Sequence, residues 1–114
     1  MSTRALEAID RILSRGADAD DVLRSVVDVL ADEAGIAWAG IAFVEEGTLS
    51  LGPRAGAQDE ARRIRLPVVY DGDPVAELWV DGVADRAFLE RVAVLVSGYC
   101  LVGWDTGGIP WDAA

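Results

Sequence analysis

The sequence predicts one α+β domain, an antiparallel sheet with N-terminal and C-terminal helices packed on one face. Three observations predict it. Apolar residues recur with the helical period at both ends of the chain. Between them the period drops to that of strands. Residues with turn chemistry cut the alternating stretch into hairpins. With 114 residues, 52% of them hydrophobic, the chain is long enough for one core and too apolar to stay disordered.

The first helix is expected over residues 3–15, where Leu6, Ile9, Ile12 and Leu13 form one stripe and Gly16 supplies the stop. The second starts near Asp18, whose neighbours Asp20 and Asp21 suit the positive end of a helix. Its apolar face is Val22, Leu23, Val26, Val29, Leu30 and Ala34, and Gly35 ends it. Strands follow at 36–44 and 48–51, joined by Glu45-Glu46-Gly47. Residues 52–61 form a short loop. A third strand at 62–70, a turn at Asp71-Gly72-Asp73-Pro74 and a fourth strand at 75–83 complete the sheet. Asp85 caps a last helix running to 102, with Phe88, Leu89, Val92, Val96 and Tyr99 inward. That helix is apolar on nearly every side, which predicts cover from a second chain or from the tail. The domain is therefore read as 1–102, with an irregular tail at 103–114 that carries Trp104 and Trp111.

Strand parity decides which residues meet. An odd turn at Asp71–Asp73 pairs Leu66 with Leu78, Ile64 with Val80 and Val68 with Ala76. It also sets Arg65 opposite Trp79 and Arg63 opposite Asp81. The same logic places Ile41 and Phe43 beside Leu49 and Leu51. One face then holds Ile41, Phe43, Leu49, Leu51, Ile64, Leu66, Val68, Leu78 and Val80, and the helices cover it. The other holds Trp38, Gly40, Ala42, Thr48, Ser50, Arg63, Arg65, Glu77 and Trp79. Trp38, Arg63, Arg65, Glu77 and Trp79 are the candidate ligand platform, since indoles give area and guanidinium a planar donor. Two other readings stand beside it. The face is a protein interface, or Arg65 stacks on Trp79 and Arg63 pairs with Asp81 to solvate an outer surface.

Composition excludes much chemistry. There is no histidine, lysine or asparagine, and one cysteine, Cys100. A histidine triad, a Cys/His zinc site, a haem with His ligation, a Schiff base and a P-loop lysine are impossible. Asp71, Asp73 and Glu77 lack the spacing of a calcium loop, and Asp18, Asp20 and Asp21 read as helix-terminal charges, so no metal is expected. Glu45 and Glu46, adjacent on a strand, point to opposite faces and cannot converge as an acid/base pair. Cys100 reads as a small buried hydrophobe. No enzyme activity and no cofactor are expected. A net charge of −10 argues against nucleic acid. The longest apolar run falls short of the about 20 residues of a membrane span. A lone cysteine and a start without an apolar leader suit the cytoplasm. The bias toward Arg, Ala, Gly, Asp and Val suits a GC-rich bacterial genome.

The element order resembles that of a GAF domain, the sensory module of signalling proteins. The resemblance rests on Ile36-Ala37-Trp38-Ala39-Gly40-Ile41-Ala42-Phe43, Gly47-Thr48-Leu49, Ile64-Arg65-Leu66-Pro67-Val68, the Gly72 turn, Val75-Ala76-Glu77-Leu78-Trp79-Val80 and the helix opening near Phe88-Leu89. It implies a GAF-like (profilin-like) α+β fold, with the terminal helices on one face of the sheet and a small-molecule pocket on the other. It also implies a homodimer through the terminal helices, for which Leu6, Val92, Val96 and Tyr99 are the candidates, and a small molecule or signalling protein as partner. Two departures shape the expectation. The connection at 52–61 is much shorter than the family's, which points to an open groove or a partner-covered face. The Asn-Lys-Phe-Asp-Glu motif of cyclic-nucleotide-binding members is absent, and so are the pocket cysteines of members that reduce methionine sulfoxide and the Cys or His for bilin or haem.

Overall fold

The computed structural model describes residues 3–16, 18–45 and 47–103. Helices α1 (Thr3–Ser14) and α2 (Ala19–Ala31) precede strands β1 (Ile36–Glu45), β2 (Thr48–Gly56), β3 (Arg63–Tyr70) and β4 (Asp73–Gly82). Helix α3 (Arg86–Gly103) follows, and one 3-10 turn, Glu60–Arg62, stands before β3. The strands form one antiparallel sheet in the order β2-β1-β4-β3. The α+β class and the helix–sheet layering expected from periodicity are both present. The tail at 104–114 lies outside the described residues.

The helices cover one side of the sheet. α2 lies against β1 and β2, α3 lies mainly against β3, and α1 packs on α2. Each helix buries one stripe, although α2 stops at Ala31, short of the expected Gly35, so that Val29 is half-buried and Ala34 is exposed. The buried residues are Ala5, Ile9 and Ile12 on α1, and Val22, Leu23, Val26, Val27 and Leu30 on α2. On α3 they are Phe88, Leu89, Val92, Ala93, Val96 and Cys100. They meet Ile41, Phe43, Leu66, Val68, Leu78 and Val80, none more than 2% exposed. Burying each Val, Leu, Ile or Phe side chain contributes about 1.5–3 kcal/mol, so this layer dominates the stability. α3 is not buried all round. Glu90, Arg91 and Val94 turn to solvent, with Val94 64% exposed. The sheet and α2 both pack on the buried side of this helix. As expected, Asp85 caps α3: its Oδ1 accepts from the Ala87 N–H at 3.0 Å.

The two hairpins show how turn length sets a face. In β3–β4 the pairs Leu66–Leu78, Ile64–Val80, Val68–Ala76, Arg65–Trp79 and Arg63–Asp81 form as parity requires. The turn itself is shorter than expected. Tyr70 pairs with Asp73, and Asp71 and Gly72 take φ of 52° and 85°. That is the primed geometry that Asp-Gly favours. A bulge between Val68 and Val69 then restores the register. In β1–β2 the closing pair is Glu45–Thr48, and no bulge intervenes before Ala42–Leu51. Leu49 and Leu51 therefore lie opposite Val44 and Ala42, not beside Ile41 and Phe43. The expected odd turn is one residue too long, and the slip moves both leucines to the outer face, while Thr48 and Ser50 take the other parity. β2 also runs on to Gly56, well past the expected 51.

Each edge strand carries a proline, Pro53 in β2 and Pro67 in β3. A missing N–H blunts a strand edge against further pairing. Among the described residues no helix is long and apolar enough to cross a membrane.

Candidate functional site

The face away from the helices is built in rows across β1, β4 and β3. One row is Trp38, Asp81 and Arg63, and the next is Gly40, Trp79 and Arg65. Ala42, Glu77 and Pro67 form a third. All five residues singled out as a platform, Trp38, Arg63, Arg65, Glu77 and Trp79, share this face. Both indoles point to the same layer.

Their side chains interlock. The Arg63 guanidinium lies 4.7 Å from the Trp38 ring centroid and 5.1 Å from that of Trp79. Arg65 stacks on Trp79 at 4.8 Å. Such contacts gain from the ring quadrupole, more so when water is excluded. Arg63 Nε donates to Asp81 Oδ1 at 2.7 Å and Nη2 to Asp81 Oδ2 at 2.9 Å, a bidentate fork. Nη2 also donates to Gln58 Oε1 at 3.1 Å, and Glu60 Oε1 stands 3.8 Å from Nη1. The Asp59 N–H gives Asp81 Oδ2 a further bond at 2.7 Å. Arg65 Nε and Nη2 reach Glu77 Oε1 at 2.8 and 2.7 Å, and Trp79 Nε1–H donates to the same oxygen at 2.9 Å.

The site has a closed end and an open end. Trp38 is 2% exposed, Asp81 is fully buried, and the Arg63 side chain is 15% exposed. The Asp81 carboxyl sits below its ordinary value, held there first by the Arg63 hydrogen bonds against the desolvation that raises it. The same bonds raise the Arg63 guanidinium. Toward the open end, the Arg65 side chain is 52% exposed and that of Glu77 29%. Leu49, Leu51 and Val44 border this end, half-buried.

Gly40 makes the closed end possible. A Cβ there would stand 2.6 Å from Trp38 Cη2 and 3.3 Å from Leu51 Cδ1. The Trp38 ring thus fills the space above a residue with no side chain, as small residues in a strand allow.

Sequence reasoning paired Asp81 with Arg63 but did not count it among the site residues. Its signal is a carboxylate between Val80 and Gly82 on a central strand, where a charge needs a partner. Gln58 and Asp59, on the connection, carry no periodic signal. The dimer candidates lie elsewhere. Val92 and Val96 are fully buried under the sheet, so they present no surface to a second chain. Leu6 and Tyr99 are half-buried, and the Tyr99 hydroxyl donates to the Leu13 carbonyl at 3.4 Å. Asp18, Asp20 and Asp21 gather within 4.8 Å of one another at the start of α2, as charges at a helix N-terminus do.

No family model matches the sequence, and no curated protein matches it. Solved structures do. The GAF domain of an Acinetobacter phosphoenolpyruvate-protein phosphotransferase superposes with a TM-score of 0.69 at 17% identity, over 96% of this chain and 100% of that one. This chain has the GAF fold. A second GAF domain, from a Coxiella burnetii phosphoenolpyruvate-protein phosphotransferase, gives a TM-score of 0.69 at 12% identity, over 92% and 97% of the two chains. A free methionine-R-sulfoxide reductase from Neisseria meningitidis, in complex with its substrate, shares the fold with a TM-score of 0.66 at 15% identity, over 91% and 94%. The GAF fold thus occurs both as a domain of phosphotransferases and as a methionine sulfoxide reductase.

Cys100 bears on that contrast. It is fully buried on α3, and desolvation pushes its thiol up to about 12. Native protein is expected to leave a thiol reagent unconsumed at pH 8, and to consume one equivalent only after denaturation, read by absorbance. Prompt reaction of native protein would contradict the burial.

Proposed function

We propose that this chain is a non-catalytic regulatory GAF module whose outer sheet face recognises a protein partner. The observation that carries the reading is the saturation of that face. Both arginines of the platform already hold carboxylates, and the Trp38 end is filled by the chain's own side chains. Small molecules are bound in concave pockets that bury most of their surface. Trp79 and Arg65 instead offer an open surface of two residue types that anchor protein interfaces, bordered by the half-buried Leu49 and Leu51. Only residues 57–62 join β2 to β3. The non-catalytic part rests on residue chemistry: the chain has no histidine to activate a nucleophile, and Cys100 is buried with its thiol pushed up to about 12.

A second reading keeps a small molecule at the open end, stacked on Trp79 beside Arg65. It is favoured by the half-exposed Arg65–Glu77 pair, whose polar groups a ligand can reach.

The two readings separate in one experiment. A photo-crosslinking residue placed at the exposed Pro67, in the neighbouring row of the same face, is expected to capture one discrete protein in cells, and Trp79→Ala is expected to abolish the capture. The same residue placed at the exposed Val83 is expected to capture nothing discrete. A small metabolite that raises the melting temperature of wild type but not of Trp79→Ala, with no crosslinked protein, would overturn the partner reading. Light scattering reads whether the partner is a second copy.

A further inference from the structure

We propose that Trp38, Trp79 and Asp81 form a guanidinium-binding site, and that Arg63 of the same chain is its resident ligand. The parts are those a receptor for a planar cation needs. Two indole faces flank the cation at 4.7 and 5.1 Å. A fully buried carboxylate takes it by two parallel bonds at 2.7 and 2.9 Å. A neutral amide oxygen, Gln58 Oε1, accepts a third.

The receptor is held by groups other than the cation. The Trp38 ring is seated over Gly40, and the Asp59 N–H fixes the Asp81 carboxylate at 2.7 Å. Removing the Arg63 side chain therefore leaves a preorganised slot with an unpaired buried charge facing it. The chemical class that fits is an alkylguanidinium. An alkylammonium is a strongly hydrated point charge without the planar, two-donor edge that Asp81 meets. In the intact chain the slot is already occupied by a side chain of the same molecule, so an outside cation must displace a tethered competitor before it gains any contact. The domain is thus self-liganded at its closed end. This stands whether or not a protein partner docks on the open end.

The test removes the resident ligand and supplies a free one. Arg63→Met keeps apolar bulk near the indoles, and Arg63→Ala empties the slot. Each is melted with methylguanidinium at ~10 mM, a value to be set by titration, and with methylammonium at equal ionic strength. The expected result is a rise of about 5 °C or more for the Arg63 variants with methylguanidinium and none with methylammonium. Wild type, and an Arg63→Met/Asp81→Asn double variant, are expected not to respond. If the single variants do not fold alone, refolding in methylguanidinium is read by the near-ultraviolet signal of the tryptophans. Recovery is then expected in Arg63→Ala and not in Arg63→Ala/Asp81→Asn. Equal response to both cations, response of the double variant, or no response of either single variant would overturn the proposal and leave Arg63–Asp81 a structural ion pair only.

Discussion

Arg63→Ala is expected to lower the unfolding free energy by about 3–5 kcal/mol, the usual cost of removing one partner from a buried ion pair. The cost arises because Asp81 stays behind, fully buried, with the Asp59 N–H as its one remaining donor among the described residues. Asp81→Asn is expected to cost less. Its amide oxygen still accepts from Asp59, and Arg63, at 15% side-chain exposure, keeps a path to water. The pH dependence follows from the direction of the Asp81 shift. Its folded value lies below the ordinary 3.8, so ionised Asp81 stabilises the native state fully above that value. The contribution is lost as pH falls through the depressed native value. Urea melts from pH 7 down to pH 2 are therefore expected to show a constant gap between wild type and Asp81→Asn above about pH 4, closing below it. Arg65→Ala is the control. Its pair with Glu77 is half-exposed, and such pairs contribute at most about 1 kcal/mol.

Trp38→Ala is expected to cost about 3–5 kcal/mol, as emptying a buried aromatic site does. The ring is 2% exposed and supports Arg63 from one side, so its loss opens a cavity and removes a cation–π contact together. Trp79→Ala removes a ring that is only half-buried and is expected to be the milder change, with its main effect on recognition. Gly40→Ala probes the Trp38 site from below. A methyl group at 2.6 Å from Trp38 Cη2 forces the ring to move, and overpacking of this kind costs about 1–3 kcal/mol. Chemical denaturation of the four proteins gives the ranking. A Trp38→Ala variant as stable as wild type would contradict the burial of that indole.

The order of the elements was legible because each helix shows its period and each turn its chemistry. The outer face was legible where a bulge happened to repair an error. Asp71-Gly72 makes a tighter turn than expected, yet the bulge at Val68–Val69 brings Leu66 back opposite Leu78. No bulge follows Glu45–Thr48, so Leu49 and Leu51 changed face. Alternation alone cannot separate these cases, because Thr-Leu-Ser-Leu reads equally well in either register at a sheet edge. The platform residues were found by type and parity. The Arg63–Asp81 pair and the stacking of Arg65 on Trp79 were legible too, as one of the three readings of this face. The support of Gln58 and Asp59 for the first pair and of Glu77 for Arg65 was not, since it depends on the fold bringing them together. Val92 and Val96 illustrate a similar limit: their apolar character was evident, but only the packing of α3 under the sheet shows that they have no surface to offer.

A double-mutant cycle between Arg63 and Asp81 asks most directly whether the guanidinium sits in its slot. Wild type, Arg63→Met, Asp81→Asn and the double variant are compared by urea denaturation at pH 7. A seated, desolvated cation predicts a coupling energy above about 2 kcal/mol, with the double variant more stable than the sum of the single losses allows. Additivity within about 0.5 kcal/mol would mean that the two groups do not meet in solution, and the filled outer face would have to be abandoned.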